Sequence, residues 1–393
     1  MTAQTSDATA AYDALVVGAR VAGATVAALL GDAGRRVLLV DRAAFPSPTV
    51  STHFFRGNRT VAILQQLGVL EAVLALGPPR LVCSYSHVPG VAEPVVKPID
   101  QEGGVGYNLS VRRGPLDAIL VARAACAPGV EVWQRTRLLE VHWEAGRVVG
   151  ARLAGPRGER TVRAGIVVGA DGRRSAVARA VRAAATRTDP PFRALFYRYY
   201  REFPGPSGGA SDGAEGALVE DELAYVFPSD AGLACLALSV NLDGYTRLRR
   251  APAAVLSERL AARPSLAARM ARAIPVGRVA GCGPEASYAR VPSGPGWALI
   301  GDAGLHLDPW TGNGMDLAAM QAQMLAECLD DWFAGRASES DALATYCARR
   351  DEFCLPIYDR TMAGARDLRR TPGMELIRET RMAAGLDPVP AVA

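Results

Sequence analysis

Residues 13–41 read DALVVGARVAGATVAALLGDAGRRVLLVD. Asp13–Val17 predicts a short buried strand, and Gly18-Ala-Arg-Val-Ala-Gly23 a turn. Ala24–Asp32 then predicts a helix of small and aliphatic residues, and Arg36–Val40 a second strand closing on Asp41. This order is a βαβ unit of the kind that binds dinucleotides. Gly18 permits the tight turn, and Gly23 lets the helix pack closely on the strand. The pyrophosphate is expected at the positive N-terminus of the helix, against Val21 and Ala22. Asp41 follows Gly18 by 23 residues, where an acid accepts bonds from ribose hydroxyls, with Arg42 beside it. The middle glycine of the usual motif is replaced by Arg20, and the expectation is that Arg20 compensates by pairing with the phosphates.

Two later stretches repeat the theme. Gly165–Gly169 is a short apolar strand followed by Ala170-Asp171-Gly172-Arg-Arg-Ser175, with Ser175 as the N-cap of a helix. Trp297–Ile300 is another, followed by Gly301-Asp302-Ala-Gly304, then Asp308-Pro309-Trp310-Thr-Gly312-Asn313-Gly314 and a helix from Met315 to Trp332. Each strand delivers an Asp at its C-terminal end, where doubly wound folds bind ligands.

The composition is ordinary for a soluble globular protein and excludes global disorder. The chain has 393 residues, 49% hydrophobic and 21% charged, long enough for two to three domains. Its net charge of +4 is too small to argue for nucleic acid, and Lys97 is the only lysine. Seven cysteines without CxxC spacing and four histidines give no metal site and suit a reducing cytoplasm. The apolar stretch Ala14–Leu30 is broken by Arg20 and preceded by acids, so it reads neither as a signal peptide nor as a membrane span.

The GxxxxG, ADG and GDA motifs, in this order and spacing, resemble those of the FAD-dependent monooxygenases of the para-hydroxybenzoate hydroxylase fold. The likeness runs over essentially the whole chain. The branch it resembles includes geranylgeranyl-reductase-like and flavin-halogenase-like proteins, on the strength of Ser51-Thr52-His53 and Asp308–Gly314. The resemblance implies a fold of the α/β class. A Rossmann-like FAD-binding domain, with a parallel sheet, helices and a β-meander, would cover 1–78, 105–187 and 288–393, including C-terminal helices. An α+β substrate domain with a mainly antiparallel sheet would take 79–104 and 188–287.

It also implies roles. Gly18 and Gly23 would face the FAD pyrophosphate, Asp41 the adenosine ribose and Arg113 the phosphates. Asp171 and Gly172 would lie near the dinucleotide and its reductant path, and Asp302, beside Gly301, would hold a ribityl hydroxyl. Pro309, Gly312, Asn313 and Gly314 would line the isoalloxazine ring. The glycines admit the flat ring, and the helix N-terminus favours the negative charge of reduced flavin. His53 and Arg56 fall where relatives place the edge of that ring, which makes them the catalytic candidates. In many hydroxylases the histidine follows GDAA directly. Here Leu305 intervenes before His306, outside that pattern.

In 188–290, the stretch Phe192–Glu202 predicts a strand and Pro204–Gly216 a loop. Leu218–Glu222, Leu223–Phe227 and Gly232–Val240 predict further strands, and Ala251–Arg272 a helical block. Phe196, Arg198, Tyr200, Tyr225 and Phe227 are expected to wall a substrate pocket, with Trp310 beside them.

The implied activity is monooxygenation. NADH or NADPH reduces FAD, O2 adds to give a C4a-hydroperoxyflavin, and a small organic substrate is hydroxylated or epoxidised. A reductase of isoprenoid double bonds is the alternative, because Ala224-Tyr-Val-Phe-Pro228 loosely resembles the segment of the geranylgeranyl reductases. A halogenase lacks support, since WxWxIP is absent. A non-catalytic binding protein on this fold need not keep Asp171, Asp302 and Gly312–Gly314. A monomer or homodimer is expected, without nucleic acid or membrane span.

Overall fold

The computed structural model describes residues 11–51, 54–99 and 104–387. The first of its two large sheets has eight strands. Six of them run in the order Ser293–Gly294, Trp297–Leu299, Gly158–Gly169, Ala11–Val17, Val37–Val40 and Val130–Trp133. All these pairings but the first are parallel. The hairpin Arg137–Glu144 and Arg147–Gly155 continues antiparallel from the start of Gly158–Gly169.

The helix Val21–Asp32 starts directly after Arg20, three residues earlier than the sequence predicts. Ten of its twelve residues are buried, because the sheet lies on one side and the helices Arg113–Cys126 and Gly314–Phe333 on the others. A helix covered all round has no polar face to display, so its composition is uniformly small and apolar.

The second sheet has seven strands, in the order Ile274–Cys282, Arg193–Arg201, Ala234–Asn241, Glu222–Pro228, Gly213–Val219, Cys83–His87 and Val95–Pro98. It is antiparallel except where Gly213–Val219 runs parallel to Cys83–His87. Strand residues alternate between its two faces. On the outer face Ala194, Tyr200, Ala224, Val226 and Leu236 pack under the helices Leu242–Leu248, Pro252–Ala261 and Pro264–Met270. On the inner face Leu195, Tyr197, Phe227, Cys235 and Ala237 pack with Phe54, Tyr199 and Tyr225.

Three expectations change here. Tyr200, expected in a pocket wall, is 3% exposed within the outer-face core, and its neighbour of like parity, Phe196, is partly buried against that core. The inner positions are Tyr197 and Tyr199. The expected loop to Gly216 ends instead at Gly213, where a strand begins, and the chain reverses at Glu220 (φ 53°). The glycines there are not loop signals. A Cβ on Gly213 would lie 2.5 Å from the Tyr85 ring, so the residue is small to let two strands meet. The helical block begins earlier than predicted, at Leu242, capped by the Asn241 side chain on the Gly244 N–H at 2.9 Å.

The outer face also holds a buried ionic triad. Glu215 accepts from Arg269 at 2.5 and 2.7 Å and meets His87 Nε2 at 2.7 Å. Burial works to raise the Glu215 pKa, yet Arg269 and His87 hold it below the ordinary carboxylate range. At the C-terminus the 28-residue helix Glu339–Arg366 is followed by Pro372–Ala383. Met374 and Ile377 of the latter pack with Val88, Leu218 and Leu368 at one end of the inner face.

Candidate active site

A cleft of about 820 Å³ runs along the C-terminal ends of the parallel strands. Gly18, Arg20, Val21, Ala22, Asp41 and Arg42 line its first part. Gly18 has φ 103°, and its missing Cβ leaves room for the Ala170 carbonyl. Gly23 is smallest for a different reason, since a Cβ there would overlap the Gly18 carbonyl oxygen. It locks helix to turn and does not line the cleft. Among the described residues no side chain caps the N-terminus of the Val21–Asp32 helix, so its first N–H groups remain open to a ligand.

Asp41 is 9% exposed and accepts from the Ala19 N–H and the Ala43 N–H, both at 2.8 Å. It thereby ties the turn to the second strand, and its oxygens keep lone pairs for a further donor. Arg20 departs from expectation. Its guanidinium donates to Asp117 at 2.5 Å and to the Ser47 hydroxyl and Pro48 carbonyl at 3.1 Å. Arg113 donates to the same fully buried Asp117 at 2.9 Å. Two guanidinium groups thus share one carboxylate and leave an excess of positive charge beside the helix N-terminus.

Asp171, Gly172, Gly301 and Asp302 line the middle of the cleft. Asp171 accepts from the Ala176 N–H at 2.6 Å and caps the helix Ala176–Ala180 together with Ser175. Its second carboxylate oxygen is buried without a partner among the described residues, and burial pushes the pKa of the carboxyl up. Burial acts likewise on Asp302, but the charges of His306, Arg173 and Arg113 hold its carboxyl below the usual range. His306 Nδ1 lies 3.5 Å from that carboxylate.

The far end of the cleft is bounded by Pro309, Gly312 and Gly314. Asp308 caps the Pro309–Thr311 turn, and Gly312 adopts φ 65° to lead into the helix Gly314–Phe333. Among the described residues this second helix N-terminus also carries no side-chain cap, and a Cβ on Gly314 would meet none of their atoms within 4 Å. Arg56 anchors it from outside. Its side chain donates to the fully buried Asp316 at 2.7 Å and its backbone N–H at 3.1 Å, while Thr60 donates at 2.6 Å. Arg56 is therefore engaged in holding this turn. Asn313 accepts from Arg59 at 3.2 Å and lies outside the cleft lining. His53 lies outside the described residues.

A second cavity, a slot of about 240 Å³, adjoins the first. Phe54, Tyr225, Phe227 and Trp310 line it, together with Ser84, Ser86, Ala214 and Gly216, and Pro309 and Gly312 border both cavities. Phe54, Phe227 and Tyr225 form a ladder with centroids 5.1 and 5.6 Å apart and planes 23° apart. The Tyr225 hydroxyl donates to the Trp310 carbonyl. The Glu215 carboxylate is taken up by the triad on the opposite face of the sheet. Tyr197, missed in the sequence, stands next to this wall. Burial pushes its phenol up to about 12, and the Ser51 backbone N–H bonds to it. Asp117 and Asp316 were also missed. Spacing alone signalled the first, four residues after Arg113.

These residues fit FAD. Two uncapped helix N-termini, a turn without Cβ at Gly18, an orphaned carboxylate oxygen on Asp171 and an excess of guanidinium groups share one elongated cleft. Among the described residues no helix is long and apolar enough to cross a membrane, and none of their His, Cys, Asp or Glu groups forms a metal cluster.

Comparison with known proteins agrees. Residues 11–196 match the FAD binding domain family. Digeranylgeranylglycerophospholipid reductase 2 of Methanothermobacter thermautotrophicus is 26% identical over 80% of this chain and 77% of its own. Aklavinone 12-hydroxylase RdmE of Streptomyces purpurascens is 34% identical over 42% of this chain and 34% of its own. PqsL of Pseudomonas aeruginosa, described as a probable FAD-dependent monooxygenase, superposes with a TM-score of 0.80 at 23% identity, covering 94% of this chain and 100% of its own. The chain carries an FAD binding domain over 11–196 and is an FAD-dependent oxidoreductase.

Proposed function

We propose that this FAD-dependent oxidoreductase is a monooxygenase that draws on NADH or NADPH and oxygenates a compact, uncharged organic substrate held in the slot. The observation that carries this reading is the wall shared by cleft and slot at Pro309 and Gly312. A substrate in the slot would lie against the end of the cleft where the Gly314–Phe333 helix begins. FAD, when bound, supplies hydride acceptance from nicotinamide and reaction with O2.

The chain's residues do the rest. The open N–H groups after Gly18 bind the pyrophosphate, and Arg20 and Arg113 add charge. Asp41 and Asp302 accept bonds from ribose and ribityl hydroxyls. The N-terminus of the Gly314–Phe333 helix favours negative charge on the nearby ring edge. Arg56, through Asp316, keeps that N-terminus in place. The aromatic ladder orients a flat substrate and keeps water away from the reacting atoms. Residues 79–104 and 188–287 would carry specificity, while the remainder holds the dinucleotide.

A second reading, reduction of isoprenoid double bonds, draws support from the reductase relative that aligns over 80% of the chain. The slot speaks against it. At about 240 Å³ it falls below the roughly 300–1,000 Å³ of pockets for drug-sized ligands.

The test is to mix the FAD-loaded protein with NADH or NADPH without oxygen, then admit O2. Flavin bleaching followed by oxygen consumption and release of H2O2 is expected. A protein reduced by neither nucleotide, yet reduced by dithionite and inert to O2, would overturn the monooxygenase reading.

A further inference from the structure

Trp310 is held in the slot wall by contacts to both its ring and its backbone. Its indole N–H donates to the Thr361 carbonyl at 2.7 Å, and its backbone N–H donates to the Asp308 carboxylate at 3.1 Å. Its carbonyl accepts from the Tyr225 hydroxyl. Gly364, one turn beyond Thr361 on the Glu339–Arg366 helix, lies flat against the ring, and a Cβ there would overlap Trp310 Cζ2. Behind the indole lies the apolar cluster of Val88, Leu218, Leu368, Met374 and Ile377. The ring thus stands between the slot and an apolar interior. The indole N–H bond to Thr361 and the close approach of Gly364, both from the same helix, prevent it from swinging away.

We propose that Trp310 is the length stop of the slot, seated by Gly364, and that it restricts the enzyme to compact substrates. The assignment rests on reading the slot as the substrate site. At about 240 Å³ the slot is smaller than the roughly 300–1,000 Å³ of pockets that take drug-sized ligands. Two fused aromatic rings fit that space, and a fifteen-carbon isoprenoid does not. Trp310→Ala adds the volume of the indole to the slot on the side of the apolar cluster. Each further methylene of a longer ligand then leaves water for an apolar wall. Gly364 is a positioning residue that acts through the ring.

The probes are indole and farnesol, titrated into the FAD-loaded protein and read as a shift of the visible flavin band. The expected result is that indole shifts the band in the native protein and farnesol does not. Trp310→Ala should then bind farnesol at least about tenfold more tightly, with Trp310→Phe in between. Gly364→Ala should weaken indole binding about tenfold in the native background and leave it unchanged in Trp310→Ala, where no ring remains to be displaced. If Trp310→Ala does not fold with FAD bound, the Trp310→Phe and Gly364→Ala titrations decide alone. Farnesol binding equally to native and variant proteins would overturn the length stop, as would indole binding without any gain for farnesol. If neither probe shifts the band in any variant, the slot is not the substrate site, and the reading beneath the assignment falls with it.

Discussion

The two faces of the second sheet are made by the same strands and do opposite work. The outer face buries small aliphatic residues and a complete ionic triad under three helices. The inner face is aromatic and carries the slot. Adjacent residues such as Val226 and Phe227, or Tyr199 and Tyr200, therefore belong to different problems. The first of each kind to change should cost stability on one face and binding on the other.

The largest effect is expected on the outer face. Glu215→Gln leaves Arg269 buried beside a neutral group, at a cost of about 3–5 kcal/mol at pH 7. Because the folded-state pKa of Glu215 is depressed, its contribution is complete above the ordinary Glu value of about 4.3 and is lost as the pH falls through the folded value. Denaturant melts of both proteins should thus converge in acid, while the flavin band stays unchanged at neutral pH. A gap independent of pH would separate the triad from this role.

Next comes Gly312→Val, at the border of cleft and slot. A β-branched residue at φ 65° costs about 1–3 kcal/mol and moves the turn. The expected outcome is weakened FAD retention on gel filtration, and full retention with a normal spectrum would break the proposed ring contact. Tyr225→Phe, on the inner face, removes the hydroxyl bond to the Trp310 carbonyl and should cost about 1 kcal/mol in a thermal melt. It should also raise H2O2 release per nucleotide consumed, and unchanged release would detach Tyr225 from the slot. The smallest effect is expected from Tyr200→Phe, on the outer face. It should leave the flavin band and turnover unaltered and shift stability by no more than about 1 kcal/mol. Any change in turnover would contradict the parity of the strand.

Much of the fold was legible in the sequence because each early motif is local. The 13–41 unit, the ADG and GDA turns and the helix after Gly314 are fixed by short-range sterics, and the structure puts them at one cleft. The slot was less legible. Phe192–Glu202 announces a strand, but nothing within it says which parity faces inward, and Tyr199 and Tyr200 are interchangeable in composition. That choice is made by helices up to 70 residues downstream, around Leu266. The partner of Arg20 was hidden for a similar reason. Asp117 lies 97 residues away, and its own spacing points first to Arg113.

The part of the slot wall that belongs to the second sheet is also written in two separate tracts of the chain. Ser84 and Ser86 come from 83–87, while Ala214, Gly216, Tyr225 and Phe227 come from 213–228, and the two join only where Gly213–Val219 runs beside Cys83–His87. Between them in sequence lie the Arg113–Cys126 helix and four strands of the first sheet. A gene exchange that imported one tract without the other would set a foreign side chain against the space that Gly213 leaves for Tyr85. New substrate ranges on this scaffold should then arise by single substitutions inherited together, and block recombination should yield misassembled sheets.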